Sequence, residues 1–219
     1  MAARTPLETE TATWLRLQQR AHHEFGQRLA AVQDWEGATP DTEWTVRDLV
    51  QHVIEEQQWV PWLLSGLSTR QARSRLEALE GDLTHEWHRY SLAATTAWRG
   101  AEPTAEVNLA SDTVAVTEYL KEQVADVTIH TWDLARAVGA SEELDDELVQ
   151  MVWTVFEPQR DALETSGLFA SPVPITDDAP LLLRLLALPG PARSATRRRR
   201  ARARVRARGR RRPGPSWPS

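Results

Sequence analysis

Residues 43–59 read E-W-T-V-R-D-L-V-Q-H-V-I-E-E-Q-Q-W, and this stretch decides the class of the fold. Thr45 is placed to cap a helix, with Asp48 three positions on. That is a short-side-chain form of the capping box, in which each side chain takes a backbone N–H of the other. From there Val46, Leu49, Val50, Val53, Ile54, Val60, Leu63 and Leu64 recur at steps of three and four, the period of one helical face. Gly66 marks the end, and Pro61 is expected to bend the helix or tighten its last turn.

The same period appears on both sides. Upstream, Trp14, Leu17, Ala21, Phe25, Leu29 and Val32 predict a helix over about 7–32, followed by a loop with Gly37, Thr39 and Pro40. Downstream, residues 67–80 are charged and weakly patterned, and a third helix is expected from Leu83 to Trp98. Glu106 to Ala110 alternates and reads as a short extended segment or edge strand. A fourth helix runs from about Thr117 to Ala137, with Gly139 where a left-handed C-cap belongs. A fifth begins near Asp145 and carries Leu148, Met151, Val152, Val155, Phe156 and Leu163. Residues 166–180 read as loop, and Leu181 to Leu188 as one more short helical run. Amphipathic helices with short links and little strand signal predict an all-α four-helix bundle with an extra C-terminal helix, over residues 1–188.

Composition narrows the chemistry. The 219 residues include no cysteine, which excludes disulfides, thiolate nucleophiles, iron–sulfur clusters and cysteine-ligated zinc. Any metal must be held by histidine, carboxylate, carbonyl or water. No apolar run approaches a membrane span, and the N-terminus lacks the apolar core of a secretory signal, so a cytoplasmic location is expected. The net charge of −5 hides a segregation. Twelve of the 26 basic residues are arginines beyond Leu188, where no acid occurs, so the body carries 14 basic against 31 acidic residues and a net −17. A body that acidic is a poor partner for nucleic acid. Residues 189–219 are low in complexity and have no apolar period, so they are expected to be a disordered tail outside the fold. Their residue set suits either a basic arm for polyanions or the out-of-frame product of GC-rich DNA.

Six histidines are present. His22 and His23 are adjacent, so on a helix they diverge, and both are read as surface or near-surface residues. His85 and His88 stand three apart with no third ligand nearby and are expected to face solvent. The stronger arrangement is Asp126 and His130 in A-D-V-T-I-H-T-W-D-L-A-R-A, residues 125–137, where a four-residue step puts carboxylate and imidazole on one helical face. Taken alone, the pair reads more simply as a core histidine hydrogen-bonded to a carboxylate one turn away. His52, at the edge of the apolar stripe of the second helix, changes that balance. Facing helices of a bundle build metal sites from inward-projecting histidines and carboxylates. Two imidazoles and one carboxylate leave a coordination position open, as in sites that do chemistry.

The block E-W-T-V-R-D-L-V-Q-H-V-I-E-E-Q-Q-W, followed much later by D-V-T-I-H-T-W-D-L-A-R-A-V-G, resembles the DinB/YfiT-like superfamily. Within it the chain is similar to the group related to the N-terminal, metal-binding domain of mycothiol-dependent maleylpyruvate isomerase, over about residues 8–165. The resemblance implies a four-helix bundle holding a divalent ion, commonly Zn2+, on His52, Asp126 and His130. Relatives carry Glu where this chain has Asp126, one methylene shorter. They also end in a Leu-Leu-Ala-Leu-Leu-Gly-Arg-x-Pro-like run, where this chain reads L-L-A-L-P-G-P-A-R and similarity stops.

With no cysteine of its own, a thiol-dependent protein would need its sulfur from a low-molecular-weight thiol such as mycothiol as co-substrate. Metal coordination favours the thiolate, which then attacks a small electrophile in an S-transfer or a thiol-assisted isomerisation. The alternatives are a non-catalytic metal-binding module and a metal-dependent hydrolase. For the hydrolase, Glu55 and Glu56, one turn beyond His52, are the base candidates. An iron oxygenase shares the ligand set but not the helical context or the resemblance. Trp44, Trp59 and Trp132 flank the motifs and read either as pocket walls or, more simply, as core aromatics. Monomer and homodimer both remain open.

Overall fold

The computed structural model describes residues 5–41, 43–110, 112–159, 176 and 178–187. The chain divides into two compact units, Met1–Val155 and Phe156–Ser219. In the first, α1 (Pro6–Leu29), α2 (Val46–Leu64), α4 (Leu83–Gly100) and α5 (Val116–Val138) are the long helices, joined by a short α3 (Thr69–Ala72) and followed by α6 (Asp146–Phe156). α1 packs on α4 and α5, and α2 packs on the same two, which closes a four-helix ring. The expected all-α bundle is the observed fold. No helix among the described residues is long and apolar enough to cross a membrane.

Local chemistry sets the helix starts. Thr5 and Glu8 form a capping box at α1, with Pro6 opening the helix. Thr45 and Asp48 form the box expected at α2, each accepting the other's backbone N–H at 3.2 Å. Asp82 caps α4 by accepting from Thr84 N–H at 2.9 Å. Gly139 ends α5 at φ +68°, a left-handed conformation that a side chain would disfavour. The predicted faces point inward: Trp14, Leu17, Phe25 and Leu29 of α1, Leu49, Val53 and Ile54 of α2, and Leu120, Val124 and Leu134 of α5 are all buried. Burying each such side chain stabilises the fold by roughly 1.5–3 kcal/mol. α1 and α4 meet closely at Gly26, where an added Cβ would stand 3.2 Å from Trp87 Nε1.

The alternating stretch near residue 106 forms β1 (Glu106–Asn108). It pairs antiparallel with β2 (Thr113–Ala115), with Val107 opposite Val114. The second strand had no counterpart in the sequence pattern, since three residues are too few to show a period.

One layer of the interior is polar. Gln18 and His22 of α1, Gln57 of α2, Thr95 of α4 and Gln123 of α5 meet there. Gln18 Nε2 donates to Thr95 Oγ1 at 3.0 Å and lies 2.9 Å from His22 Nδ1, while Gln57 Nε2 donates to Gln123 Oε1 at 3.4 Å. His22 is half-buried and turns its ring toward this layer, because α1 packs that face on α4 beside Trp87. His23, His85 and His88 are exposed, as expected.

In the second unit the described residues form a 3-10 turn, Glu157–Gln159, and a helix, α7 (Leu181–Ala187), at the anticipated last apolar run. The arginine-rich stretch 189–219 and most of 166–180 lie outside the described residues.

Candidate metal centre

α2 and α5 run antiparallel along their contact. Residue 52 faces 126 and 130, while Gln57, further along α2, faces Gln123, further back on α5. This crossing brings His52 to Asp126 and His130, which lie more than seventy residues further along the chain. One ligand atom from each lies within 4.8 Å of the other two. The group is deep: relative exposure is 5% for His52, 8% for Asp126 and 2% for His130.

The separations bear on the two readings of the Asp126–His130 pair. Asp126 stands between the imidazoles, with Oδ2 3.6 Å from His52 Nε2 and Oδ1 3.6 Å from His130 Nε2. An N–H···O hydrogen bond spans 2.7–3.2 Å, so neither contact is one. Ligand atoms about 2.1 Å from a shared tetrahedral ion stand roughly 3.4 Å apart, close to the two carboxylate–imidazole separations of 3.6 Å. His52 Nε2 is buried and makes no hydrogen bond, a costly condition for a polar atom unless something coordinates it. Two imidazole nitrogens and a carboxylate form a donor set suited to Zn2+ or another first-row divalent ion, so the residues present fit such a group.

His130 makes its hydrogen bond elsewhere. Its Nδ1 lies 3.2 Å from Oδ2 of Asp133, itself 1% exposed. A carboxylate only accepts, so in the neutral ring Nδ1 carries the proton and Nε2 keeps its lone pair toward Asp126 and His52. That is the tautomer a metal requires, and a carboxylate behind a ligating histidine also raises its basicity. Asp133 was not singled out in the sequence, although H-T-W-D places it three residues past His130 on the same face.

The flanking residues separate in three dimensions. Trp44 packs against both imidazoles, with ring centroids 5.0 Å from His52 and 5.6 Å from His130. Trp132 is half-buried under the Arg136 guanidinium, and Trp59 lies below Arg73. Of the base candidates, Glu55 is exposed, whereas Glu56 is half-buried and accepts from Gln123 Nε2 at 3.5 Å.

Residues 15–135 match the family model described as the mycothiol maleylpyruvate isomerase N-terminal domain. Two proteins of Mycobacterium tuberculosis, both described as uncharacterized and from different strains, are each 32% identical over 133 residues. The alignment covers 59% of this chain and 70% of theirs. Two crystal structures share the fold: mycothiol-dependent maleylpyruvate isomerase, with a TM-score of 0.53 at 21% identity, and a histidine-to-alanine mutant of that enzyme, with 0.55 at 20%. Each comparison covers 74% of this chain and 72% of the other.

Proposed function

Because this chain belongs to the mycothiol maleylpyruvate isomerase N-terminal domain family, we propose that it holds one divalent ion, Zn2+ by preference, on His52, Asp126 and His130, and uses it to activate a low-molecular-weight thiol such as mycothiol against a small electrophile. The observation that carries this reading is the spacing of the three ligand atoms. They are too far apart to hydrogen-bond and close enough to share an ion, in a site cut off from water.

A bound divalent ion would lower the pKa of a thiol at the open position and so favour the nucleophilic thiolate at neutral pH. The protein's own part is positioning. Asp133 holds the His130 ring in the ligating tautomer, and Asp126 presents one oxygen to each imidazole. The interior position of the cluster excludes water, which strengthens every charge interaction within it. With no cysteine in the chain, the sulfur comes from the co-substrate. Which electrophile is consumed, and whether the outcome is isomerisation or S-transfer, depends on groups that bind the substrate carbon skeleton.

The test is metal analysis of protein purified without a histidine tag, followed by titration of the Co2+-loaded form with a thiol. We expect one ion per chain, a sulfur-to-cobalt charge-transfer band on adding thiol, and loss of the ion in His130→Ala with helicity retained. Undiminished metal content in His130→Ala would remove the assignment. Tight metal binding with no thiol band would instead favour a non-catalytic metal module.

A further inference from the structure

Trp44 differs from the other residues around the cluster in where it comes from. His52, Asp126, His130 and Asp133 are on long helices, whereas Trp44 lies on the segment between α1 and α2, one residue before the cap Thr45. Its indole is buried and touches both imidazoles at once, lying nearly parallel to His130 at an interplanar angle of 27°. The two imidazoles are themselves edge to face at 5.0 Å, so the three rings form a closed triangle. In this cluster His52 Nε2, Asp126 Oδ2 and His130 Nε2 have essentially no solvent exposure. An ion or a thiol sulfur therefore reaches those atoms only if something moves.

The backbone at Trp44 is the wrong part to move. Trp44 N–H donates to Asp41 O at 2.9 Å, and Trp44 O accepts from Thr39 N–H at 3.2 Å and from the Thr39 hydroxyl at 3.0 Å. Val46 N–H and Arg47 N–H donate back to Gly37 O and Trp35 O, each at 2.9 Å. These bonds tie Trp35, Gly37, Thr39, Asp41 and Trp44 to one another and to the start of α2. His52, Asp126 and His130 sit on long helices whose faces are packed into the core. Rotation of the Trp44 side chain about its own bonds breaks none of those backbone hydrogen bonds and uncovers both imidazoles together.

We propose that the Trp44 indole is the gate of the metal centre, closed over the two histidines at rest and swinging aside to admit the divalent ion and the sulfur of the thiol. The inference rests on the reading of His52, Asp126 and His130 as ligands. It adds a kinetic role that a wall residue does not have. A gate alters the barrier and not the end states, so removing it speeds entry and exit by the same factor and leaves the dissociation constant alone. A packing residue behaves otherwise: its loss loosens the bound state, raising the exit rate and the dissociation constant together. Exposing a buried indole is unfavourable enough to hold the open form to about one part in ten to one part in a hundred.

The experiment uses the full chain and Zn2+ alone. Loading is followed by stopped flow, release by excess chelator in the range where the rate no longer depends on chelator, and affinity by competition at equilibrium. Trp44→Ala is expected to raise both rates about 10- to 100-fold with the dissociation constant within about threefold of the parent, and Trp44→Phe to fall between. Trp44→Leu stands in should the alanine variant lose helicity. Rates unchanged in these variants, or a faster release matched by an equally weakened affinity, would overturn the gate while leaving the metal assignment intact. A parent protein that takes up no Zn2+ would overturn the assignment itself and the gate with it.

Discussion

The carboxylate behind His130 offers the sharpest test of the centre, through Asp133→Asn. The substitution keeps volume and shape at a position 1% exposed, so helix packing should survive it. It changes the partner of His130 Nδ1, now 3.2 Å from Asp133 Oδ2, from an anion to an amide. A hydrogen bond to a charged group contributes about 1.5–3 kcal/mol and a neutral one about 0.5–1.5, so the bound form loses on the order of 1–1.5 kcal/mol. That alone is close to a tenfold change in affinity. The amide also brings a donor: where it turns its NH2 toward Nδ1, the ring is driven to the tautomer protonated on Nε2, which does not ligate. The two effects together predict a 10- to 100-fold weaker Zn2+ dissociation constant, the usual range for losing a carboxylate behind a metal-bound histidine. Competition against a chromophoric chelator measures it, with circular dichroism to confirm unchanged helicity. A dissociation constant within twofold of the parent would refute the argument, because it would mean that the tautomer of His130 is held by something other than Asp133.

Two more predictions follow from other parts of the chain. Burial lowers the pKa of His22 from 6.5 to about 4, offset only in part by hydrogen bonds from Gln57 and the Ser91 backbone. The folded state thus keeps His22 neutral where the unfolded chain would protonate it, so its contribution is whole above pH 6.5 and is lost as pH falls toward 4. The loss is on the order of 2–3 kcal/mol, and His22→Gln should flatten the unfolding free energy over that window; equal pH slopes in parent and variant would count against it. Reading residues 189–219 as a tail outside the fold predicts that truncation before Pro189 leaves the thermal midpoint unchanged, and a fall of several degrees would show that the segment packs.

The position of Asp126 between two histidines also bears on the shorter side chain at this place. A glutamate would reach one methylene further from α5. Here the aspartate already directs one oxygen to each imidazole at equal distance, so the helix backbones set the spacing and the shorter carboxylate still centres itself.

Much of this protein was readable before any coordinates. The long helices follow from apolar residues at three- and four-residue steps, and their ends from the Thr45–Asp48 box that starts α2 and the left-handed turn at Gly139 that stops α5, because a helix face and a helix cap are local properties of neighbouring residues. The types and faces of His52, Asp126 and His130 were equally legible, and so was the resemblance that grouped them. Asp133 was legible in principle from the three-residue step after His130. What no local pattern contains is distance between helices. The antiparallel register of α2 on α5 put His52 Nε2 3.6 Å from Asp126 Oδ2 and not at hydrogen-bonding range. It also chose Trp44 over Trp59 and Trp132 to lie on the imidazoles, while the packing of α1 on α4 set the half-buried His22 against Trp87 and Gln18. Those outcomes depend on how whole helices interlock, a balance of contacts among residues far apart in the chain, and for that reason only the folded molecule decides them.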